Sequence, residues 1–325
     1  MRGQLVSAIV VLCSAAAVLL APAPAGADQF ALVVSGASGG PQYAETYTSW
    51  RQDLVEALRD QPGFRDDHLF VLGEIPGPGV GRASRGGIEA AVDALRQRMA
   101  DDALLLVVLI GHGTDDGVDA RFNLVGPDMS AAEWRRLLDS LPGRAVFVNT
   151  TASSLPFVRR LAREGRVVIA ATASPAQRYD TVFPRFFVAA VADPASDADK
   201  DGRVSVWEAF VSASARVRRW YQQEGRLATE RAVLDDSGDG IGVDADRPGT
   251  DGRLAAGLYF GAGVAPPAAA GDPALAPLVE RREALAAEVA ALRVRKAALP
   301  EPEYARELER LLLELARVSR ELRRH

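Results

Sequence analysis

Residues 104–113 read LLLVVLIGHG, an apolar run that delivers His112 between two glycines. An imidazole held at such a point can take a proton from a nucleophile on a neighbouring segment. The residues expected to face it lie in VFVNTTASSLPF at 146–157, where Thr151, Ala152, Ser153 and Ser154 follow a second apolar run. The single cysteine, Cys13, is far from both segments. His68 opens an apolar segment and His325 ends the sequence, so the histidines do not suggest a metal cluster.

A second chemistry is written in acidic residues. Residues 197–208, DADKDGRVSVWE, place Asp197, Asp199 and Asp201 at positions one, three and five of a calcium loop, with Gly202 at the sharp turn. Arg203 offers its carbonyl at seven, Val204 an apolar side chain at eight, Ser205 a hydroxyl at nine and Glu208 a bidentate carboxylate at twelve. Ca²⁺ takes six to eight oxygens in this order, and four carboxylates supply the counter-charge. A lone loop of this kind binds weakly, on the order of 10⁻⁴ to 10⁻³ M, which suits a structural ion better than a sensor. The stretch 235–246, DDSGDGIGVDAD, repeats the pattern more loosely through Asp235, Ser237, Asp239, Gly240 and Asp246. Its last ligand is the shorter aspartate, so the segment reads either as a weaker second calcium site or as a surface turn.

The elements that must position these groups alternate. Short apolar runs at 30–36, 68–73, 104–111, 144–149 and 166–172 predict strands, and amphipathic stretches near 43–60, 86–100, 130–141 and 154–164 predict the helices between them. Nearly continuous apolar strands separated by helices predict an α/β fold with a mainly parallel sheet covered on both faces. In such sheets ligands gather at the carboxyl ends of the strands, where His112 and the 149–154 segment both fall. Further helices are expected at about 180–192 and 206–222. Ser153 and Ser154 also have a plainer reading, as caps of a helix beginning at Pro156.

The ends read differently. Residues 1–27 combine Arg2, an apolar run from Leu5 to Leu20 and the small residues Ala25, Gly26 and Ala27, which predicts a secretory signal peptide and a periplasmic or extracellular destination. Removal of that segment leaves a chain of 28–325 without cysteine, stabilised by its core rather than by disulfides. A domain over 28–262 is followed by a Pro/Ala-rich linker at 263–276 and a helical hairpin over 277–325. Leu278, Leu285, Leu292 and Leu299 recur every seven residues, and Tyr304, Leu308, Leu311, Leu315, Val318 and Leu322 form a heptad seam. The hairpin either docks on its own domain or drives self-association. Its charges are intermixed, which excludes a basic membrane-binding face, and no membrane span is expected after signal cleavage. A net charge of −5 argues against nucleic acid as a partner.

The order of strand, GHG, helix, strand and short nucleophile loop resembles the caspase-like cysteine peptidases, and most of all their legumain branch, the asparaginyl endopeptidases. The resemblance runs from Phe30 to the 170s and includes ALVVSGASGGPQYAETYTSW after the start of the first strand. It implies a catalytic histidine at His112 and an oxyanion-binding backbone N–H at Gly113. The family's cysteine, in the pattern acidic residue, alanine, cysteine, any residue, serine, glycine, falls on Thr151 when Ser153 is matched to the serine, and on Ala152 when Ser154 is. The acidic residue becomes Asn149 or Thr150, and the glycine becomes Ser154 or Leu155. Ala44 and Glu45 stand where the family uses a basic residue for substrate recognition. Together with the signal segment and the acidic loop, the resemblance implies an exported, calcium-binding peptidase homologue without its nucleophile, with a protein or peptide partner, as a binding or assembly module. The alternative is an active hydrolase in which Ser153, Ser154 or Thr151 works with His112.

Overall fold

A computed structural model of the chain describes residues 28–61, 63–247, 249–261, 275, 277–278, 281–282, 284–285, 288–289, 292 and 299–322. The expected signal segment, all of the linker but Leu275, and much of the first hairpin helix lie outside them.

Seven strands form one sheet in the order β10 (Val233–Asp235), β9 (Arg166–Ala170), β8 (Arg144–Asn149), β4 (Leu104–Ile110), β1 (Gln29–Ser35), β2 (Phe64–Gly73) and β3 (Gly81–Arg82). All neighbours run parallel except β10, which is antiparallel to β9. The expected mainly parallel α/β sheet is present, and the five apolar runs are its five inner strands.

Alternating side chains feed two separate cores. Ala31 and Val33 of β1, with Leu106, Val108 and Ile110 of β4, pack under α1 (Pro41–Arg59), α5 (Phe183–Ala192) and α6 (Val206–Gln223). Leu32 and Val34, with Leu105, Val107 and Leu109, pack under α2 (Arg85–Arg98), α3 (Ala131–Asp139) and α4 (Leu155–Leu161). β4 is buried along its whole length, the state for which a run of seven apolar residues is suited.

The chain goes from β1 outward to β2, then crosses back to lay β4 on the other side of β1. This reversal makes the carboxyl ends of β1 and β4 a topological switch point, where right-handed crossovers leave a crevice. Directly after β4, a small antiparallel sheet of β5 (Gly113–Asp115), β6 (Ala120–Phe122) and β7 (Met129–Ser130) stands beside the crevice. Sequence periodicity does not show these strands, which are two or three residues long.

The last described helix, α8 (Glu301–Leu322), buries Leu311, Leu315, Val318 and Leu322 against Leu275, Leu285, Val289 and Leu292 in a cluster of its own. Arg281 pairs with Glu314 and Arg310 with Glu288 across the two segments. Among the described residues no helix is long and apolar enough to cross a membrane.

One buried carboxylate ties α5 to α6. Glu230, 3% exposed, accepts the backbone N–H groups of Val182 and Phe183 at 2.7 and 3.1 Å and the Tyr221 hydroxyl at 3.1 Å. It thereby meets donors that α5 leaves unpaired at its start. Burial pushes its carboxyl from the ordinary 4.5 up to about 7, with the three donors pulling the other way. A folded value above the unfolded one gives stability that is complete below about pH 4.5 and is lost as the pH rises through about 7. Urea unfolding in steps from pH 4.5 to 8 should therefore show the native chain losing on the order of 2 to 3 kcal/mol relative to Glu230→Gln. Parallel curves for the two proteins would show that this carboxyl carries no such shift.

Candidate functional site

Two glycines allow the chain to turn at the crevice. Gly111, directly after β4, has φ +149 and passes the Gly36 backbone so closely that a Cβ on it would lie 3.4 Å from Gly36 N. A Cβ on Gly36 would lie 2.2 Å from the Asn123 carbonyl oxygen. The Gly36 N–H in turn donates to the Ile110 carbonyl at 2.9 Å. His112 therefore leaves the sheet at a fixed height beside the loop after β1.

Both imidazole nitrogens lie near polar groups. Its Nε2 lies 3.1 Å from the Ser38 carbonyl oxygen, which can only accept, so Nε2 carries a proton. Nδ1 lies 3.5 Å from Asp180 Oδ1, and the Tyr47 hydroxyl lies 3.4 Å from Nδ1 and 3.2 Å from Nε2. The Tyr43 and Tyr47 rings meet the imidazole edge to face at centroid distances of 4.7 and 5.4 Å, and the Tyr43 hydroxyl donates to Asp180 Oδ2. Burial first, then the nearby Asp180 charge, raises the Tyr47 phenol well above its ordinary value, so it remains a donor. Tyr43, Tyr47 and Trp50, spaced by four and three along α1, line a cavity of about 240 Å³ with His112, Gly113, Ala152 and Asp180.

The segment after β8 arrives beside this histidine, as expected, but its hydroxyls are used elsewhere. Thr150 Oγ1 donates to the Leu109 carbonyl, and Ser153 Oγ donates to the Gly113 carbonyl at 3.1 Å. Ser154 Oγ lies 3.0 Å from Thr172 Oγ1 and accepts the Thr172 N–H. α4 begins at Leu155 with Ser154 at its N-cap, yet no side chain caps it. The capping role expected of Ser153 and Ser154 is thus not observed, because those hydroxyls bond β5 and the end of β9 instead. Thr151 is fully buried and its Oγ1 has no hydrogen-bond partner. Asn149 Oδ1 accepts the Thr151 N–H, while Asn149 Nδ2 is also unpaired. Among the described residues, the hydroxyl within hydrogen-bonding distance of His112 is that of Tyr47. Ala152 lines the same cavity as His112. Tyr47, Tyr43 and Asp180 were not among the expected site residues.

The acidic loop stands at the start of α6. One carboxylate oxygen from each of Asp197, Asp199 and Glu208 lies within 4.8 Å of the others, a group that could hold a metal ion. Burial raises the Asp197 carboxyl and lifts that of Asp199 to about 6, the cost of crowding negative groups that a cation would relieve. Asp201 stays outside this group, with Oδ1 accepting the Arg203 N–H and Oδ2 lying 3.3 Å from the Arg203 guanidinium. Ser205 and Glu208 also form a capping box for α6: Ser205 Oγ accepts the Glu208 N–H, and Glu208 Oε2 accepts the Ser205 N–H. The Arg203 guanidinium stacks over the Tyr259 ring at 3.7 Å. Val204 is buried, and its carbonyl accepts the Phe260 N–H, so the loop is covered by the segment 258–260.

The looser acidic stretch is folded on its own backbone. Asp235, in β10, accepts from Gly238 N and Gly240 N at 2.9 Å each and from the Ser237 hydroxyl at 3.3 Å. Asp239 accepts the Ile241 N–H. Asp246 lies 3.0 Å from Arg218, exposed on α6, so its carboxylate is engaged outside the group of Asp235, Ser237 and Asp239. Asp236 accepts from Gly252 N and Ala255 N and caps α7 (Arg253–Ala256).

No family model and no curated protein matches the chain. Among solved structures it is similar to protein GSU0716 from Geobacter sulfurreducens, at 11% identity over 64% of this chain and 92% of that one, with a TM-score of 0.43. It is also similar to caspase-1 from Spodoptera frugiperda, at 10% identity over 65% of this chain and 87% of that one, again with a TM-score of 0.43.

The packing of Thr151 behind Gly113 makes a stability prediction. A Cβ on Gly113 would lie 2.6 Å from Thr151 Oγ1, so Gly113→Ala should cost on the order of 1 to 3 kcal/mol. Thr151→Val removes a buried, unpaired hydroxyl and should leave stability unchanged or raise it by up to about 1 kcal/mol. Chemical denaturation checks both, and a large loss from Thr151→Val would mean that its hydroxyl has a partner.

Proposed function

We propose that the chain is a caspase-like protein of the legumain type whose site has lost its nucleophile and binds a protein or peptide segment instead of cleaving it. One observation carries this reading: of the 149–154 segment, Ala152 lines the His112 cavity, while Thr151 is fully buried. In the family's pattern this favours Ala152, the alignment on Ser154, as the place of the missing cysteine. The Nε2 proton of His112 faces the Ser38 carbonyl, and the Nδ1 lone pair has the Tyr47 hydroxyl 3.4 Å away. A base needs a free lone pair aimed at its nucleophile, and Ser153 and Ser154 point their hydroxyls elsewhere. A serine or threonine hydrolase is therefore the weaker reading. Export through residues 1–27 and signal cleavage belong to the same proposal.

In the chain of 28–325, which has no cysteine, Ala152→Cys should be alkylated by iodoacetamide in the folded state and Thr151→Cys should not. The reverse order would place the lost nucleophile at Thr151. A fluorophosphonate probe should label none of Thr151, Ser153 or Ser154. Labelling that disappears in His112→Ala would establish an active hydrolase and end this proposal.

We assign Ca²⁺ as the ion of the 197–208 loop, held by Asp197, Asp199 and Glu208. Oxygen donors of high negative charge suit this hard cation, whose bound form would neutralise the start of α6. Calcium at about a hundred times its dissociation constant should stabilise the fold by roughly 2.7 kcal/mol. Differential scanning calorimetry with calcium and with EDTA measures this as a rise in Tm, and Asp199→Ala should abolish the rise. An unchanged Tm in the native chain would show that the loop holds no calcium.

A further inference from the structure

Beside His112, one strand edge is left without a neighbour. β5 pairs with β6 alone, and the small sheet ends there. The antiparallel register pairs Gly113 with Phe122 and Asp115 with Ala120. The Asn123 N–H donates to the His112 carbonyl at 3.0 Å. Hydrogen-bonded pairs alternate along such a ladder. His112 and Thr114 therefore bond β6, while Gly113 and Asp115 turn their N–H and C=O groups away from it. The Ser153 hydroxyl donating to the Gly113 carbonyl from that outer side agrees with this phase.

The outer side is open. Gly113, Thr114 and Asp115 line a cavity of about 230 Å³ with Ser153, Leu155 and Pro156. Gly113, Ala152 and Arg178 belong both to this cavity and to the 240 Å³ one beside His112, so the two form one groove across the ends of β4 and β8. Asp180 stands at one end, 56% exposed at its side chain, and Asp115 stands at the other. Among the carboxylate and guanidinium groups that line the groove, Asp115 and Asp180 stand against Arg178.

We propose that this groove takes an extended basic peptide segment as an added strand on the free edge of β5. The inference rests on the non-catalytic reading of the site and names its partner's chemistry. The outward N–H of Gly113 and both outward groups of Asp115 bond the peptide backbone, and the Gly113 carbonyl keeps a second lone pair beside the Ser153 bond. Alternate side chains of the peptide then point into the groove, where the faces of Tyr43, Tyr47 and Trp50 and the Asp180 carboxylate favour Lys or Arg.

The test uses the dye-labelled hexapeptide Val-Arg-Val-Lys-Val-Thr, its acidic counterpart Val-Glu-Val-Asp-Val-Thr, and two copies of the first N-methylated at alternate amides, one in each phase, read by fluorescence anisotropy against the calcium-loaded chain. The basic peptide should bind, more weakly as salt rises, and the acidic one at least about tenfold less well. N-methylation in one of the two phases should cost about tenfold or more, because it removes donors without touching side chains. Asp115→Pro should have a similar effect by deleting an outward N–H at an edge position. The proposal is overturned if both N-methylated phases bind within twofold of the parent, if the acidic peptide binds as tightly as the basic one, or if none binds at about 1 mM. It is overturned too if light scattering shows a dimer that the basic peptide does not dissociate and that Asp115→Pro does. Cleavage of a peptide, lost in His112→Ala, would instead end the non-catalytic reading, since that outcome is read by mass spectrometry and is independent of the N-methylation pair.

Discussion

β4 is enclosed by β1 on one side, β8 on the other and a layer of helices on each face. Seven buried apolar side chains, worth roughly 1.5 to 3 kcal/mol each on transfer from water, lock it in register. Leu109 lies opposite Val34 on β1 and opposite Asn149 on β8. The two strands that flank it therefore end level with it, and the segments beginning at Gly36, Gly111 and Thr150 are gathered at one place. Phe122 closes this arrangement. It is fully buried, and its ring is the atom group that a Cβ on Gly36 or Gly111 would strike or touch. The small sheet is thus anchored to the large one through Phe122, and the position of the β5 edge follows from the burial of β4.

Electrostatic strain is distributed around this rigid centre, in the loops. Asp197, Asp199 and Glu230 each sit where burial raises the carboxyl, and all three lie where α5 or α6 begins or is capped. The two cases are resolved differently. Glu230 is alone, and three donors share its charge. Asp197 and Asp199 face Glu208, and the backbone N–H groups that solvate them do not cancel their mutual repulsion. A cation does what further hydrogen bonds cannot, which is why the loop reads as a metal site and the Glu230 cluster does not.

Much of the sheet was legible in the sequence because β1, β4, β8 and β9 are continuous apolar runs, and burial on both faces demands such runs. β5, β6 and β7 were not, since a strand of two or three residues has no periodicity to detect. β10 overlaps DDSGDG at Asp235, so the acidic pattern masked a strand end. His112 stood out through its flanking glycines, but its partners were hidden for different reasons. Tyr43, Tyr47 and Trp50 carry a helical spacing that also fits an ordinary core face, and only the position of α1 at the switch point turns that face toward His112. Asp180 belongs to an irregular loop and Glu230 to another, and nothing local in either segment predicts their contacts. Ser205 and Glu208 show how one spacing can serve two purposes: serine followed three residues later by glutamate is both a capping box and the end of a calcium loop.

The fate of His112 follows from how firmly it is held. A catalytic imidazole must exchange a proton, and its second nitrogen usually needs a single orienting partner. Here Nε2 is committed to a backbone carbonyl, and the other edge meets a phenol and a carboxylate. Two tyrosine rings also block rotation. On the proposed reading, loss of a nucleophile at Ala152 would remove the selection of geometry for proton transfer but not the packing that fixes the ring. What remains is a wall of stiff aromatic groups, a carboxylate and an unpaired strand edge, all preformed. Binding there would freeze few additional rotamers in the protein, so the entropy lost on association would fall mainly on the partner. On that reading the site needs no chemistry, because rigidity that would orient a base serves equally to orient a strand.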